Sequence, residues 1–183
     1  MGLSVVKQFI KTSRLLQETG ASEIAEAALV LPLAFMMLLG IYWFGRAFNV
    51  YATINHAARE GARAAVAQSC ATCTPLSNAQ VVSQAVGVVE QAMQASNVDP
   101  HQVQPYAPLP TTFCGTGTCT AAGLSSNINV CTEVQLTPTS SSYPPVCGTA
   151  VLFEYPYQFS LPFTSLNGQQ LLLKANVQMK GEY

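Results

Sequence analysis

Charge is scarce in this chain. Its 183 residues include 8 basic and 9 acidic side chains, only 9% of the total, whereas an ordinary soluble domain carries about 25%. So few charges assemble neither a basic patch for nucleic acid nor an acidic tail, and we expect no nucleic-acid partner. Histidine is also rare, and neither His56 nor His101 belongs to a nucleophile, phosphate-loop or HExxH motif. We therefore expect a protein that is not an enzyme and that uses no cofactor or metal ion.

One long apolar run, AALVLPLAFMMLLGIYWF, occupies residues 27–44, and no charged residue lies between Glu26 and Arg46. At about 1.5 Å per residue, the run covers most of a hydrocarbon core roughly 30 Å thick. Tyr42 and Trp43 lie near its end, where such rings prefer the lipid–water boundary. A buried helix in a soluble core would need apolar partners on all sides, which the polar remainder of the chain does not supply. We predict a single transmembrane helix.

The flanks of the apolar run predict its orientation. Lys7, Lys11 and Arg14 precede it, so we expect a cytoplasmic N-terminus and a larger domain on the other side of the membrane. A cleaved secretory signal is the alternative, but its apolar core is usually about 7–15 residues long and ends at a small-residue cleavage site. Here the run is longer and leads directly into a second helical pattern, so retention is favoured.

Three regions follow from this pattern. We predict a basic cytoplasmic leader over residues 1–20, a transmembrane helix with a helical stem over 21–68, and an exterior domain over 69–183. In the stem, Ala58, Ala62 and Ala65 recur at helical spacing, which allows close approach of another element. That element is either the chain's own sheet or a second subunit, and the sequence does not separate these two possibilities.

The exterior domain carries both helical and strand patterns. Ser77 or Asn78 begins a predicted helix that runs to about Ser96, and a strand is predicted over residues 127–136. The helix is predicted to bury one stripe formed by Val81, Ala85, Val88 and Met93.

Two further strands show strong alternation of apolar and polar residues, which predicts strands with one buried face, and the Asn-Gly pair in the connecting TSLNGQ predicts a hairpin turn. Pro156 falls inside the first of them and indicates an edge position or a bulge. The inward residues are predicted to be Val151, Phe153, Tyr155, Tyr157, Phe159 and Leu161 in one strand and Leu171, Leu173, Ala175, Val177 and Met179 in the other.

Six cysteines all follow the apolar run, at Cys70, Cys73, Cys114, Cys119, Cys131 and Cys147. An even number on an oxidising side of the membrane indicates up to three disulfides supporting a domain with a small core. We favour the pairs Cys70–Cys73, Cys114–Cys119 and Cys131–Cys147. A zinc site, for which Cys70 and Cys73 have ligand-like spacing, and a redox Cys-x-x-Cys centre are the alternatives.

The fold class follows. We predict an α+β protein in which a long N-terminal transmembrane helix continues into a small exterior domain with a helix and an antiparallel sheet, supported by disulfides.

The sequence also resembles a known family. The run EAALVLPLAFMMLLGIYWFGRAF, followed by INHAAREGARAAV, resembles the N-terminal region of TadE-like proteins, minor pseudopilins of the tight-adherence (Tad, or Flp) pilus system. The resemblance rests on Glu26, Gly40 and residues 29–32, 44–46 and 57–62, the last of which read AAREGA. The two alternating C-terminal strands look like the closing hairpin of the family. The segment from about residue 70 to residue 148 matches nothing in it.

The resemblance implies processing by a membrane prepilin peptidase near Gly20 and Ala21. Such sites place Gly before the cut and Glu at the fifth mature position. A cut after Gly20 makes Glu26 the sixth mature residue, whereas a cut after Ala21 makes it the fifth but replaces the Gly with Ala. The resemblance further implies that Glu26 pairs with the terminal amine of a neighbouring subunit, with Glu23 as a second candidate. The alternative is an interfacial Glu26 that faces cytoplasmic water.

Taken with the resemblance, the sequence predicts a membrane-anchored, pseudopilin-like component of Tad/Flp pilus assembly, acting in adhesion or in secretion-type filament biogenesis. The implied location is the bacterial inner membrane with the C-terminal domain in the periplasm. The implied partners are the lipid bilayer, other pilin or pseudopilin subunits, the assembly platform and a prepilin peptidase. Two alternatives are a membrane-tethered periplasmic domain that binds a ligand through its cysteine-rich middle, and a redox protein that uses Cys70 and Cys73.

Overall fold

The computed structural model describes residues 3–67, 76–137, 144–158 and 170–181, with side chains described from residue 23 onward. The chain forms two compact units, Met1–Gly45 and Arg46–Tyr183. The elements are α1 (Leu3–Val66), α2 (Asn78–Ala95), a short 3-10 helix (Pro100–Gln102), β1 (Cys119–Ala122), β2 (Ile128–Gln135), β3 (Cys147–Gln158) and β4 (Gln170–Lys180). The predicted α+β class, with a long N-terminal helix, a second helix and an antiparallel sheet, is confirmed.

The four strands form one antiparallel sheet in the order β1-β2-β3-β4. The register of β3 and β4 pairs predicted inward residues with one another: Val151 with Val177, Phe153 with Ala175, and Tyr155 with Leu173. The predicted inward position of Leu171 is wrong, because this residue near the start of β4 is 48% exposed. The predicted strand over 127–136 is confirmed as β2. The predicted inward residues Phe159 and Leu161 and the predicted Asn-Gly turn lie outside the described residues.

Pro156 lies in the central strand β3, at a point where its missing N–H costs no β3–β4 bond. Glu154, two residues earlier, exchanges both backbone hydrogen bonds with Gln104, at 2.8 and 3.0 Å. Since backbone groups alternate in direction along a strand, Pro156 is oriented like Glu154, away from β4. The β2 ladder stops earlier, at the pair Asn129–Leu152. Pro156 therefore has the edge-like position that the sequence predicts, although β3 is a central strand, because β2 does not extend as far as this residue.

Strand β3 is buried on both of its faces, so the prediction of one buried face is wrong for this strand. On one face Val151, Phe153 and Tyr155 contribute to the main core, which also contains residues of α1 and α2. On the other face Ala150 and Leu152 join a smaller cluster, against which the loop residues Tyr106 and Phe113 pack. The sheet therefore separates two apolar layers, one formed with helices and one formed with an irregular segment.

Helix α2 begins and ends where the sequence predicts. Ser77 is its N-cap, and the Ser77 N–H donates to Gln80 Oε1 at 3.0 Å, the backward bond of a capping box. Ser96 is its C-cap. The predicted stripe is wrong by one position at two places, because Val81 and Val88 are only half-buried. The buried residues of α2 are Val82, Ala85, Val86, Val89 and Met93.

Four of the predicted disulfide cysteines do form disulfides, but the predicted partners are wrong. Cys119 pairs with Cys131, and Cys114 pairs with Cys147. The first pair joins residues that lie opposite each other in the β1–β2 ladder. The predicted pairs Cys114–Cys119 and Cys131–Cys147 join cysteines that are close in sequence, whereas the register of the sheet decides which residues meet. Cys70 and Cys73 lie outside the described residues.

The Cys114–Cys147 disulfide connects the two segments that flank β2. The Cys114 N–H donates to the Glu133 carbonyl on one side of β2, while Cys147 pairs with Gln135 on the other side. The ladder between β2 and β3 shifts register between Cys131 and Val134, where Glu133 has a φ of 53°. A bulge of this kind bends and twists its strand, and the disulfide fixes the chain on both sides of it.

Candidate membrane anchor and assembly surface

Within the side-chain-described part of α1, Glu23–Val66 contains a stretch long enough and apolar enough to cross a membrane, judged by length and composition. Its large apolar side chains are exposed, as illustrated by Leu31 at 66%, Phe35 at 54% and Leu38 at 64%. Exposed apolar surface of this extent on an isolated helix is unfavourable in water, at about 25 cal/mol per Å². Lipid removes that cost, and so does contact with other apolar helices.

The candidate processing and assembly residues lie in the first turns before this apolar stretch. Gly20 and Ala21 belong to the helical backbone of α1. Glu23 and Glu26 are exposed and separated by three residues, so they lie on neighbouring positions of one helix face. A carboxylate at the border of a hydrocarbon layer is stabilised by a cationic partner, and a new terminal amine after residue 20 or 21 would lie within two helical turns of Glu26.

The later part of α1 has the opposite character, because its apolar residues are small and buried. Ala58 and Ala62 are fully buried and Ala65 is 7% exposed. They belong to the main core together with residues of α2 and the sheet. Of the two partners that the sequence leaves open, these alanines contact the one within their own domain.

Gly61, inside the AAREGA sequence, lies at a close approach between α1 and α2. A Cβ atom at this position would overlap Val89 Cγ2 and would lie 3.1 Å from the Ala85 carbonyl oxygen. Absence of a side chain therefore permits the two helices to touch, in the way that small residues allow helices to approach in general. The AAREGA sequence supplies small residues on the buried side and charge on the other.

The charged side of the same helix is solvated. Arg59 is exposed, and Arg63 donates to Glu60 Oε1 at 2.9 Å. His56 Nε2 lies 4.0 Å from the same Glu60 oxygen, and its side chain is 71% exposed. Exposed pairs of this kind contribute about 0–1 kcal/mol. This cluster keeps one face of the stem in water and contributes little to stability.

The two histidines lie on different elements. His56 lies on α1, and His101 lies in the 3-10 helix that begins after Asp99, whose carboxylate accepts a hydrogen bond from the His101 backbone N–H at 3.0 Å. Among the described residues, no group of three or more His, Cys, Asp or Glu side chains is placed to hold a metal ion.

A polar cluster on the sheet was not found by sequence reasoning. Glu154 is 6% exposed, and its Oε1 lies 3.3 Å from Lys174 Nζ on the neighbouring strand. Lys174 Nζ also lies 5.4 Å from the centroid of the Tyr106 ring, and the Asn176 side-chain amide donates to the Tyr106 hydroxyl at 3.4 Å. The signal was a single Glu within the apolar residues of β3. The cluster anchors the irregular segment around Tyr106 to the sheet.

Residues 20–63 match the family model described as TadE-like protein. No curated protein and no solved structure matches the chain. The match covers the whole apolar stretch and the AAREGA sequence, but it does not reach the C-terminal strands. The resemblance to the TadE-like family is confirmed for this part of the chain, and it supports a component associated with the Tad pilus.

Proposed function

We propose that this chain is a membrane-anchored, pseudopilin-like component of Tad/Flp pilus assembly that acts in adhesion or in secretion-type filament biogenesis. Its apolar helix would be held in the bilayer and would associate laterally with helices of other pilin or pseudopilin subunits. The exterior domain would contact other pilus components and the assembly platform. The role is structural, and no catalytic step is assigned to the chain.

One observation carries the proposal. The segment that matches the TadE-like family contains a helical stretch whose large apolar side chains are exposed, whereas the alanines that follow it on the same helix are buried in the domain. A stretch of this kind has its surface available to lipid and to neighbouring helices at the same time. In a bilayer, helix association depends on packing and interhelical polar contacts.

The proposed location is the bacterial inner membrane, with the N-terminus in the cytoplasm. Lys7, Lys11 and Arg14 on the N-terminal side support this orientation. The two disulfides support an oxidising compartment, such as the periplasm, for the C-terminal domain. The two observations are independent, and both support the proposed location of the larger domain on the outer side.

Glu26 is the proposed assembly residue. After cleavage following Gly20 or Ala21, its carboxylate would pair with the terminal ammonium of a neighbouring subunit near the inner membrane boundary. The pair would offset the cost of keeping each charge near the hydrocarbon layer. It would also fix the axial position of one helix against the next, since a displaced helix would leave both charges unpaired.

Photo-crosslinking in the membrane tests the proposal. We would replace Phe35, whose side chain is 54% exposed, with benzoylphenylalanine in cells that assemble the pilus, and identify the captured chains by mass spectrometry. The proposal expects capture of pilin-type helices, reduced strongly by Glu26→Gln. Glu23→Gln is the matched control, because it removes the same charge three residues away and is expected to have the smaller effect.

Two outcomes would contradict the proposal. Capture of lipid alone, with no pilin-type chain in piliated cells, would contradict the proposed lateral association with other subunits. Equal capture with and without Glu26→Gln would contradict the proposed role of Glu26 in assembly. The mature N-terminus, measured by mass spectrometry on the same preparation, shows whether cleavage follows Gly20 or Ala21.

A further inference from the structure

The folded unit begins without a linker after the uncharged run. The uncharged residues end at Gly45, and the second compact unit starts at Arg46. Ala47 is already 9% exposed, and Ile54 is completely buried in the main core. A domain tethered at a distance from a membrane would show several exposed polar residues between the apolar run and the first buried position. Here only Arg46 separates them.

Counted from a hydrocarbon boundary at Ala27, lengths along α1 put this start at the depth of the lipid headgroup layer. The 19 residues from Ala27 to Gly45 span about 28 Å at 1.5 Å per residue, nearly the whole hydrocarbon thickness of about 30 Å. A bilayer of about 40–45 Å in total leaves roughly 5–8 Å of headgroup layer on each side. That layer corresponds to about four or five helical residues, which are residues 46–50, with Tyr51 at the outer limit.

Aromatic side chains project from the uncovered side of these turns. Phe48 is 69% exposed and Tyr51 is 46% exposed, whereas Ala47 and Ile54 on the covered side are buried. Rings with an apolar body are favoured at the boundary between lipid and water, and tyrosine is enriched there. Facing bulk water, Phe48 would leave most of its ring exposed at a cost of about 25 cal/mol per Å².

We propose that the folded unit is seated in the headgroup layer of the membrane, with Phe48 and Tyr51 in contact with phospholipid. The occupant of this face is lipid because the face continues the apolar run along the chain within the depth of the headgroup layer. The inference rests on the proposed membrane anchor but goes beyond it, since an anchored helix could also carry its domain clear of the lipid. Seating would restrict the orientation of the domain relative to the bilayer.

Depth-dependent quenching of single tryptophans tests the seating. The full chain with Trp43→Phe would carry Phe48→Trp, Tyr51→Trp or Arg59→Trp in separate variants, reconstituted into phosphatidylethanolamine–phosphatidylglycerol vesicles. Arg59 is the matched control because it is exposed, lies about 20° from Phe48 around the helix, and is about 16 Å further along it. We expect phospholipid brominated near the headgroup end of its acyl chains to quench Phe48→Trp strongly, Tyr51→Trp less and Arg59→Trp hardly at all. Acrylamide should give the reverse order.

Two results would overturn the seating. Equal quenching of Phe48→Trp and Arg59→Trp by acrylamide, with no effect of brominated lipid on either, would show a stem in water. Protection of Phe48→Trp from both quenchers would show that protein covers this face. Native Trp43 in the unsubstituted chain reports separately on the anchor. If brominated lipid fails to quench Trp43, the membrane span itself is wrong. If it quenches Trp43 but neither Phe48→Trp nor Tyr51→Trp, the span stands and only the proposed seating is wrong.

Discussion

Two stretches of α1 are both apolar and yet differ in what they contact. In the earlier stretch, large side chains such as Leu29 and Met37 are 74% and 65% exposed. In the later stretch, the buried positions are mostly alanines such as Ala57 and Ala62, both fully covered by the chain. Apolar composition predicts that a segment leaves water, but the size of its side chains decides how closely a neighbouring helix can approach. Small residues allow contact within the domain, and large ones leave a surface for lipid or another subunit.

The same substitution in the two environments gives the largest expected contrast. Phe153 is completely buried in the domain, whereas Phe35 is 54% exposed. Phe153→Ala should lower the free energy of unfolding of the exterior domain by about 3–5 kcal/mol, because it removes buried surface and leaves a cavity. Phe35→Ala should change it by less than about 0.5 kcal/mol. Urea unfolding followed by pulse proteolysis in mild detergent measures both, and equal losses would break the comparison.

Disulfides belong to the exterior domain and not to the anchor. Replacing Cys119 and Cys131 together with alanine should cost roughly 2–4 kcal/mol, because the denatured chain regains the freedom of the closed loop. Membrane retention should be unchanged. Peptide mapping without reduction should recover Cys119 linked to Cys131 and Cys114 linked to Cys147. Recovery of Cys114 linked to Cys119 would contradict the sheet register.

Two glycines on the helices of the domain differ in how much space surrounds them, so the same substitution should have opposite effects on stability at the two positions. At Gly61 a Cβ would overlap Val89, whereas at Gly87 nothing lies within 4 Å of the added atom. Gly61→Ala should therefore destabilise the domain by about 1–3 kcal/mol through overpacking. Gly87→Ala, the matched control within α2, should stabilise it by roughly 0.5–1 kcal/mol through better helix propensity. Effects of the same sign at both positions would show that α1 and α2 are not in close contact there.

The smallest expected effect is a pH dependence at Tyr155, which is 8% exposed. Burial of the phenol raises its pKa above the ordinary 10.0, a backbone hydrogen bond at Asp99 lowers it, and the Asp99 charge raises it. Because the unfolded phenol loses its proton first, the contribution of Tyr155 is fully present below pH 10.0 and falls as the pH rises above it. Comparing the unfolding free energies of the unsubstituted chain and Tyr155→Phe across this range checks the sign. A growing advantage for the tyrosine at high pH would contradict it.

The elements of the fold could be predicted where a local pattern determines them. The caps of α2 at Ser77 and Ser96 follow from local spacing, and so do the inward residues of β3 and β4 except Leu171, which is 48% exposed. The predicted apolar stripe of α2 differs from the buried one because Val81 and Val82 are chemically equivalent. Only the side of the helix on which the core lies decides which of the two is buried. Local patterns contain no such direction.

Pairing across the chain could not be predicted in the same way. Cys119 meets Cys131 because of the β1–β2 register, which four residues of β1 do not reveal. The Glu154–Lys174 pair depends likewise on the β3–β4 register. The partner of Ala58, Ala62 and Ala65 was open for a related reason, since small residues at helical spacing suit both a helix of the same domain and one of another subunit.

Membrane retention of the uncleaved span is the most direct test of the central claim, that residues 27–45 remain part of the protein and are held in lipid. Membranes from cells that produce the full chain would be washed with alkaline carbonate, and the intact mass of the retained protein determined. The account expects the protein in the pellet, with a mature mass that includes residues 27–45 and begins at or before residue 22. Release without detergent, or a mature N-terminus after Gly45, would contradict it.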